Sequence, residues 1–470
     1  MRSSPFRLIG LAVATVAAQL LAVPAMPADA LDAQGGDGVV RAVSGPTPFR
    51  GGCAGRALDT EAIPDTEVEP AIAVDPSDPR TIVTTWQQDV GGASSRSDLV
   101  ATSRDGGRSW HRTSIPRLTV CTGGVADFAS DPWVSIGVDG TVYFSGTNGR
   151  ATSQPYPVAV VASASTDHGR TWRTPTTIAP AEPGNDSDAV TASPTRPGRA
   201  YLVYANWDHT YQVPMSNALR FSRTTDRGAH WSAPVLVHQP GPTAIDFSGH
   251  IIVLGDGTLL TVWANFDLAQ GLGTLMASRS GDEGRTWQPA VDIASQPVGM
   301  FTDPETGQEL PQPGFPSVAL SPDGTVYVAS ESSSSPSSGA VSVARSRDGG
   351  RNWSSSKVPG ITAFAFEPAI AVDSRGTVGL LWYDLRRDVS GDAHLTTDVR
   401  FARSSDRGAT WRQSHLAGPF DLRTAPTPNR WIGEYQGLVG LGTGFAGVVT
   451  MSAPQARHGA SDIFFVRPGS

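Results

Sequence analysis

The sequence predicts an all-β fold, a β-propeller of four-stranded antiparallel blades, and three observations carry that prediction. One eight-residue turn recurs six times. A strand–turn–strand pattern precedes every copy. The composition, with 51 Gly and 37 Pro in 470 residues and turns signalled every ten to fifteen residues, is that of many short strands.

The recurring octet is SRDGGRSW at Ser103–Trp110, STDHGRTW at Ser165–Trp172, TTDRGAHW at Thr224–Trp231, SGDEGRTW at Ser280–Trp287, SRDGGRNW at Ser346–Trp353 and SSDRGATW at Ser404–Trp411. All obey Ser/Thr-x-Asp-x-Gly-x-x-Trp, with the aspartates at Asp105, Asp167, Asp226, Asp282, Asp348 and Asp406. A calcium loop is a poor reading, because one carboxylate per octet falls far short of six to eight oxygen ligands. A phosphate cradle would need a helix N-terminus, and no helical pattern follows. A tight turn suits every position: Asp accepts amides of its own turn, Gly takes positive φ, and Trp buries its ring. The octets are therefore expected to be scaffolding.

Before each octet stand two apolar strands around a turn, as in PAIAVDPSDPRTIVTTW (Pro70–Trp86), PWVSIGVDGTVYFSG (Pro132–Gly146) and PSVALSPDGTVYVAS (Pro316–Ser330). Asp-Gly between alternating apolar residues is a hairpin signal. A third strand leads into the octet and a polar fourth follows it, which makes a unit of about 60 residues that must stack on its neighbours. A seventh copy, GLVGLGTGFAGVVTMS (Gly437–Ser452), follows the last octet, and Asp462–Arg467 supplies its third strand. Its fourth must come from elsewhere, and Val39–Val43 is the natural donor. Seven blades are expected, six being the alternative. Residues 51–470 then form one propeller, and 31–50 complete its last blade.

Residues 1–30 read as a secretory signal peptide: Arg2 and Arg7, an apolar run from Leu8 to Val23, and Ala28-Asp29-Ala30 as the cleavage site. A retained anchor is the less favoured alternative, since the run is short and interrupted by Gln19. No later stretch has the ~18 apolar residues that span a bilayer, so a secreted protein free of the membrane is expected. Export favours a disulfide between the two cysteines, Cys53 and Cys121. The net charge of −8 without a basic stripe argues against nucleic acid as a partner. Nine scattered histidines suggest no metal set, and no cofactor is expected. The run Asn185–Asp188 (NDSD) reads as a solvated loop in preference to a calcium loop, and Ser332–Ser338 as a flexible surface loop.

The octets match the Asp-box of sialidases and related BNR-repeat propellers. From about Glu69 to the C-terminus, the chain resembles exported bacterial sialidase-like proteins of the exo-α-sialidase family, with TEVEPAIAVDP, CTGGVADFASDPW and GEYQGL adding to the likeness. The Asp-box is specific for the fold and weak for the reaction. The Arg-Ile-Pro motif that opens sialidases has no match, since Phe49-Arg50 runs on into Gly-Gly-Cys.

The rim opposite the octets is where chemistry is expected. Acids stand at several strand starts: Glu69 and Glu367 before Pro, Asp131 before Pro132, Asp188, and Glu434. Converging acids suit acid–base work; the competing reading is that Glu-Pro and Asp-Pro only form turns. In the sixth unit Glu367 and Tyr383 lie equally far from the turn at Arg375, which makes them near cross-strand neighbours on one face. Asp384, Arg386, Arg387 and Asp388 follow, and Arg430, Trp431, Glu434 and Tyr435 precede the seventh unit. The resemblance implies a Tyr383 nucleophile with Glu367 as its base and Arg386 on the substrate carboxylate. Asp89 or Asp131 would be the acid. Glu69, Asp131, Arg430, Trp431, Glu434 and Tyr435 would bind the sugar. The partner implied is a glycan bearing an acidic terminal sugar. Two other readings stay open: a propeller that binds glycan or protein without turnover, and a lyase or hydrolase for another acidic polysaccharide.

Overall fold

A computed structural model of the chain describes residues 38–49, 53, 62–91, 94–151, 156–206, 218–297, 302–308, 310, 315–335, 338–361, 365–425 and 430–469. Among them are strands, turns and short 3-10 segments, and no α-helix. Residues 1–30, with the expected signal peptide, lie outside the described residues.

The strands are β1 (Val39–Ala42); β2–β5 (Glu67–Val74, Ile82–Gly91, Ser94–Ser103, His111–Ser114); β6–β9 (Phe128–Ile136, Val142–Gly149, Val158–Ser165, Thr176–Glu182); β10–β13 (Asn185–Ala192, Ala200–Asn206, Ala218–Thr224, Val235–His238); β14–β17 (Ala244–Val253, Leu259–Asp267, Leu272–Ser280, Val291–Pro297); β18–β21 (Ser317–Leu320, Val326–Ser335, Ser338–Ser346, Ser354–Lys357); β22–β25 (Ala365–Val372, Val378–Asp384, Thr396–Ser404, Arg412–Asp421); and β26–β28 (Gly437–Leu441, Gly444–Ser452, Ser461–Arg467). Each group is an antiparallel meander forming a four-stranded sheet, except that the first two merge through the single pair Ser95↔Ala129. The last group has three strands of its own. β1 supplies the fourth, paired antiparallel with β28 from Val39↔Arg467 to Ala42↔Phe464.

Two loop expectations are corrected here. Asn185–Asp188 begins β10, and of the serine run Ser332–Ser335 ends β19 and Ser338 begins β20, the two strands pairing at Ser335↔Ser338. Polar composition misled in both places, because strand pairing is made by the backbone and does not require apolar alternation.

The first strand of each group packs against the first strand of its neighbours, and β26 packs against β2, so the sheets stand around a common axis in a propeller-like arrangement. The core lies between sheets. Ile82, Trp86 and Leu99 of one sheet meet Ala446, Val448 and Phe465 of another; Leu260 and Val262 meet Val326 and Val328. The three fully buried indoles find polar partners: Trp86 donates to Gln88 (2.9 Å), Trp263 to Asp246 (2.8 Å) and Trp382 to Asp384 (3.1 Å).

The octets are the turns between third and fourth strands. In every one the Asp carboxylate accepts the amide four residues on, at 2.9–3.0 Å. The Ser or Thr hydroxyl takes the amide of the octet Gly, at 2.7–3.0 Å. The hydroxyl and amide of Thr286 hold the Asp282 carboxyl down at about 2. The octet glycines have φ of 72–85°; Gly107, at 85°, presses on Phe465 of the adjoining sheet, where a Cβ would come within 2.5 Å of the ring. The position before this glycine, read as free in the sequence, is left-handed too: His168, Arg227, Glu283 and Arg407 have φ of 58–62°. These side chains reach the first hairpin of the preceding sheet. Arg227 pairs with Asp139 (2.9 Å), Arg407 with Asp323 (3.0 Å), and Glu283 with Arg196 and Arg199.

Candidate functional site

Five first strands break register at corresponding places: between Val68 and Ala71, Ser130 and Trp133, Asp186 and Ala189, Phe247 and His250, and Phe366 and Ala369. Each break holds a non-glycine residue at left-handed φ: Glu69 (55°), Asp131 (55°), Ser187 (50°), Ser248 (56°) and Glu367 (48°). Such a conformation costs about 1–2 kcal/mol per residue, and a bulge of this kind re-aims a side chain. Glu69, Asp131 and Glu367 each precede proline, so the Glu-Pro and Asp-Pro pairs mark bulges, which is more specific than the turn reading.

First strands of every group line a cavity of about 220 Å³ on the common axis. Its aromatic wall is continuous: Trp133 stands 4.8 Å from His250 and 5.3 Å from Tyr435, and Tyr435 stands 5.5 Å from Phe315. The Tyr435 hydroxyl donates to the Pro132 carbonyl (3.1 Å), which ties the approach to β26 to the bulge of β6. Burial pushes His250 down to about 4, so its ring is neutral at physiological pH.

Two carboxyl groups face this cavity, Glu367 and Glu434. Glu367 is 5 % exposed and neither of its carboxyl oxygens has a hydrogen-bond donor. Burial, then the neighbouring Glu331 and Glu434, raise its pKa well above the carboxylate range. Glu331 is a residue that sequence reasoning missed. Its carboxylate accepts the Glu367 amide, and burial lifts it to about 8. Gln436 donates to the Glu367 carbonyl (2.6 Å), so the bulge is clamped from both sides.

Beside Glu434 lies a second set of acids. Glu69 accepts from Gln87, which also reaches Ser130 (3.1 Å). Asp131 accepts from Thr147 (3.1 Å) and Ser130 (3.4 Å). Burial and mutual repulsion raise Glu69, Asp98, Asp131, Asp188 and Glu434. Among the described residues no group of three acids, histidines or cysteines has the geometry to hold a metal ion.

A family model described as the BNR repeat-like domain matches residues 58–328, more than half of the chain. The chain belongs to the BNR repeat-like family. No curated protein matches it. Among solved structures, a protein of unknown function from Dyadobacter fermentans is similar at 13 % identity over 92 % of this chain and 98 % of that one, with a TM-score of 0.50. An α-L-arabinofuranosidase from Fusarium graminearum covers 72 % of this chain and 93 % of its own at 13 % identity, TM-score 0.47. The sialidase of Trypanosoma rangeli is 12 % identical over 86 % of this chain, which spans only 55 % of that one, TM-score 0.44.

In this BNR repeat-like chain the expected residues fall into two sets. Glu367, Glu434 and Tyr435 reach the cavity, and Glu69 and Asp131 stand behind it. Tyr383 does not reach it. The bulge pairs Phe366 rather than Glu367 with Tyr383, so the two side chains leave on different faces. Tyr383 is fully buried, stacked 5.2 Å from Phe366; its hydroxyl donates to the Thr450 carbonyl (2.8 Å) and accepts the Thr450 amide (2.9 Å). Burial raises its pKa well above 10. It is a core residue, which corrects its reading as a nucleophile.

The arginines are corrected likewise. Arg386 is held by Asp384 at 2.6–2.8 Å, and Arg387 by Asp398 at 2.6 Å. Arg430 pairs with Asp303, which Arg423 also grips at 3.0 Å. Among the described residues that line the cavity there is no arginine or lysine. Trp431 is partly exposed and is not among the lining residues. Asp89 is buried and accepts from Thr47 (2.7 Å), away from the cavity lining. A disulfide joins Cys53 to Cys121, and no helix of the described residues is long and apolar enough to cross a membrane.

Proposed function

We propose that this chain is an exported glycosidase-type protein on a seven-bladed propeller, acting in its axial cavity on a terminal sugar that carries no acidic group. The observation that carries the reading is the convergence of the Glu367 and Glu434 carboxyl groups with the Trp133–Tyr435 wall, in a cavity whose described lining holds no arginine or lysine. Glycoside hydrolysis needs two carboxyl groups with different protonation. Glu367, buried and without donors, holds its proton and gives it to the leaving oxygen. Glu434, which is the more exposed of the two, is the carboxyl partner that works on the other face of the sugar ring. Trp133 and Tyr435 offer apolar faces for the sugar's C–H groups. The acidic sugar implied by the sialidase resemblance loses support, because a carboxylate in this cavity would meet carboxyl groups and no guanidinium.

A panel of aryl glycosides tests this. Turnover is expected on an uncharged glycoside and none on a sialoside. Glu367→Gln should lower kcat by about 10²-fold or more, with Tyr383→Phe close to wild type. Sialoside turnover abolished by Tyr383→Phe would overturn the reading. The second reading, binding without turnover, is favoured by the burial of Glu367, which leaves only its edge for a ligand. It predicts saturable sugar binding that Glu367→Gln preserves.

A further inference from the structure

We propose that the axial cavity selects a 6-deoxy sugar, seating the methyl group of the ring on an aliphatic floor that lies deeper than Glu367 and Glu434. The inference rests on the sugar-site reading above and adds the class of sugar.

The floor follows from the direction of the first strands. Each runs from the rim opposite the octets toward its hairpin turn, so residues beyond the bulge lie deeper along the axis. Ile72 and Ile370 stand three residues past Glu69 and Glu367, and Ile251 three past Ser248. Ile252, Val318 and Leu438 line the same cavity from β14, β18 and β26, and all three are half-buried. Five first strands thus contribute hydrocarbon to this end of the cavity, and hydrocarbon offers a hydroxyl no partner.

The polar side chains of the lining do not make up for this, because most are engaged with backbone. The Thr191 hydroxyl donates to the Ile251 carbonyl (2.7 Å), and the Ser317 hydroxyl accepts the Ile370 amide (3.0 Å). Tyr435 is tied to the Pro132 carbonyl (3.1 Å).

A separate observation points to a ligand and fixes which way round it sits. Both carboxyl oxygens of Glu367 and Oε1 of Gln436 lack a hydrogen-bond donor, and each residue is 5 % exposed and lines the cavity. Gln436 Nε2 bonds the Glu367 carbonyl (2.6 Å), so these open acceptors stand together. Buried acceptors of this kind are costly unless a donor meets them. Ring hydroxyls supply donors there, one Glu367 oxygen being kept for the proton that goes to the leaving oxygen. The edge of the ring that lacks a hydroxyl is then left for the floor. A hydroxymethyl arm at that edge would lose its water and gain nothing in return, whereas a methyl group gains from the same surface.

The test uses the full chain and aryl glycosides in pairs that differ only at C6: L-rhamnoside with L-mannoside, L-fucoside with L-galactoside, and D-quinovoside with D-glucoside. Both anomers of each are included, with a xyloside, which has no C6, beside them. Calorimetry of the corresponding methyl glycosides gives a readout that needs no turnover. In at least one pair the 6-deoxy member should have kcat/KM, or affinity, about tenfold to 10²-fold higher than its partner. Ile252→Thr and Val318→Thr, which place a hydroxyl on the floor, should narrow that ratio by about fivefold or more while a cooperative melt is kept. Equal values within every pair, a preference for the hydroxylated member, or a preference that both variants leave unchanged overturns the proposal and leaves the sugar-site reading standing. A xyloside preferred over every 6-deoxy sugar also overturns it, since the floor would then seat a ring without C6. Binding with the methyl preference but no turnover overturns the glycosidase reading alone. No binding and no turnover with any sugar overturns both.

Discussion

At the scale of single residues, the backbone break in each first strand decides which side chains can do chemistry. Glu367 and Tyr383 are equally far from their hairpin turn, so simple strand geometry sets them on one face. One extra residue at the bulge reverses that outcome: the acid turns toward the axis and the phenol into the core. Tyr383→Phe should therefore cost about 1–3 kcal/mol, because it strands the Thr450 amide, visible as a lower Tm with turnover unchanged. Glu331 makes a complementary prediction. Its carboxyl group titrates near 8 in the folded protein and near 4.3 when unfolded. The folded state thus binds more protons across that window, and this contribution to stability is lost as pH rises through it. Glu331→Gln should be less sensitive than wild type between pH 5 and 8, by on the order of 1 kcal/mol per pH unit, in denaturant titrations at several pH values. The strand starts revealed Glu69, Asp131, Glu367 and Glu434 as candidate acids. Glu331 and Asp98 sit on second and third strands with no motif, and only the return of those strands to the same rim would have pointed to them.

At the scale of elements, the octet is legible almost completely. Its Asp, Gly and Ser or Thr each have a hydrogen-bonding or steric reason visible in the residue type alone. The fourth position is the exception. Gly106, His168, Arg227, Glu283, Gly349 and Arg407 share a backbone conformation and no chemistry, so nothing in the residue identities marks it. Its occupants act between sheets, through ion pairs whose partners are some 84–88 residues away in the sequence. Asp167→Ala removes the acceptor for two amides and two hydroxyls. By analogy with the loss of a helix cap, it should cost about 0.5–2 kcal/mol. Since the Asp167 carboxyl is held at about 2, its contribution is present above the unfolded value near 3.9 and is lost as pH falls toward 2. Melts of wild type and Asp167→Ala should differ at pH 6 and converge at pH 2.

At the scale of the whole molecule, repeat spacing and hairpin chemistry were enough to reach an all-β arrangement of four-stranded sheets, because each sheet is local in sequence. The site was only partly legible, since it is assembled from bulges, and a bulge is decided by neighbouring sheets rather than by its own strand. The Cys53–Cys121 disulfide closes 68 residues, and chain-entropy reasoning gives such a loop about 4 kcal/mol. Reduction, or Cys53→Ala with Cys121→Ala, should lower Tm and leave sugar binding intact, since neither cysteine lines the cavity.

The pairing of β1 with β28 also sets the order of events in biogenesis. β1 has no partner until β28 has been synthesised, so this sheet closes late. Until then, the growing polypeptide presents an open edge and unmet apolar faces such as those of Val448 and Phe465, which invite association with other chains. Both cysteines, by contrast, emerge early. The Cys53–Cys121 bond can therefore close long before β1 and β28 meet, and the late joining of those strands becomes the step that chaperones or crowding would govern.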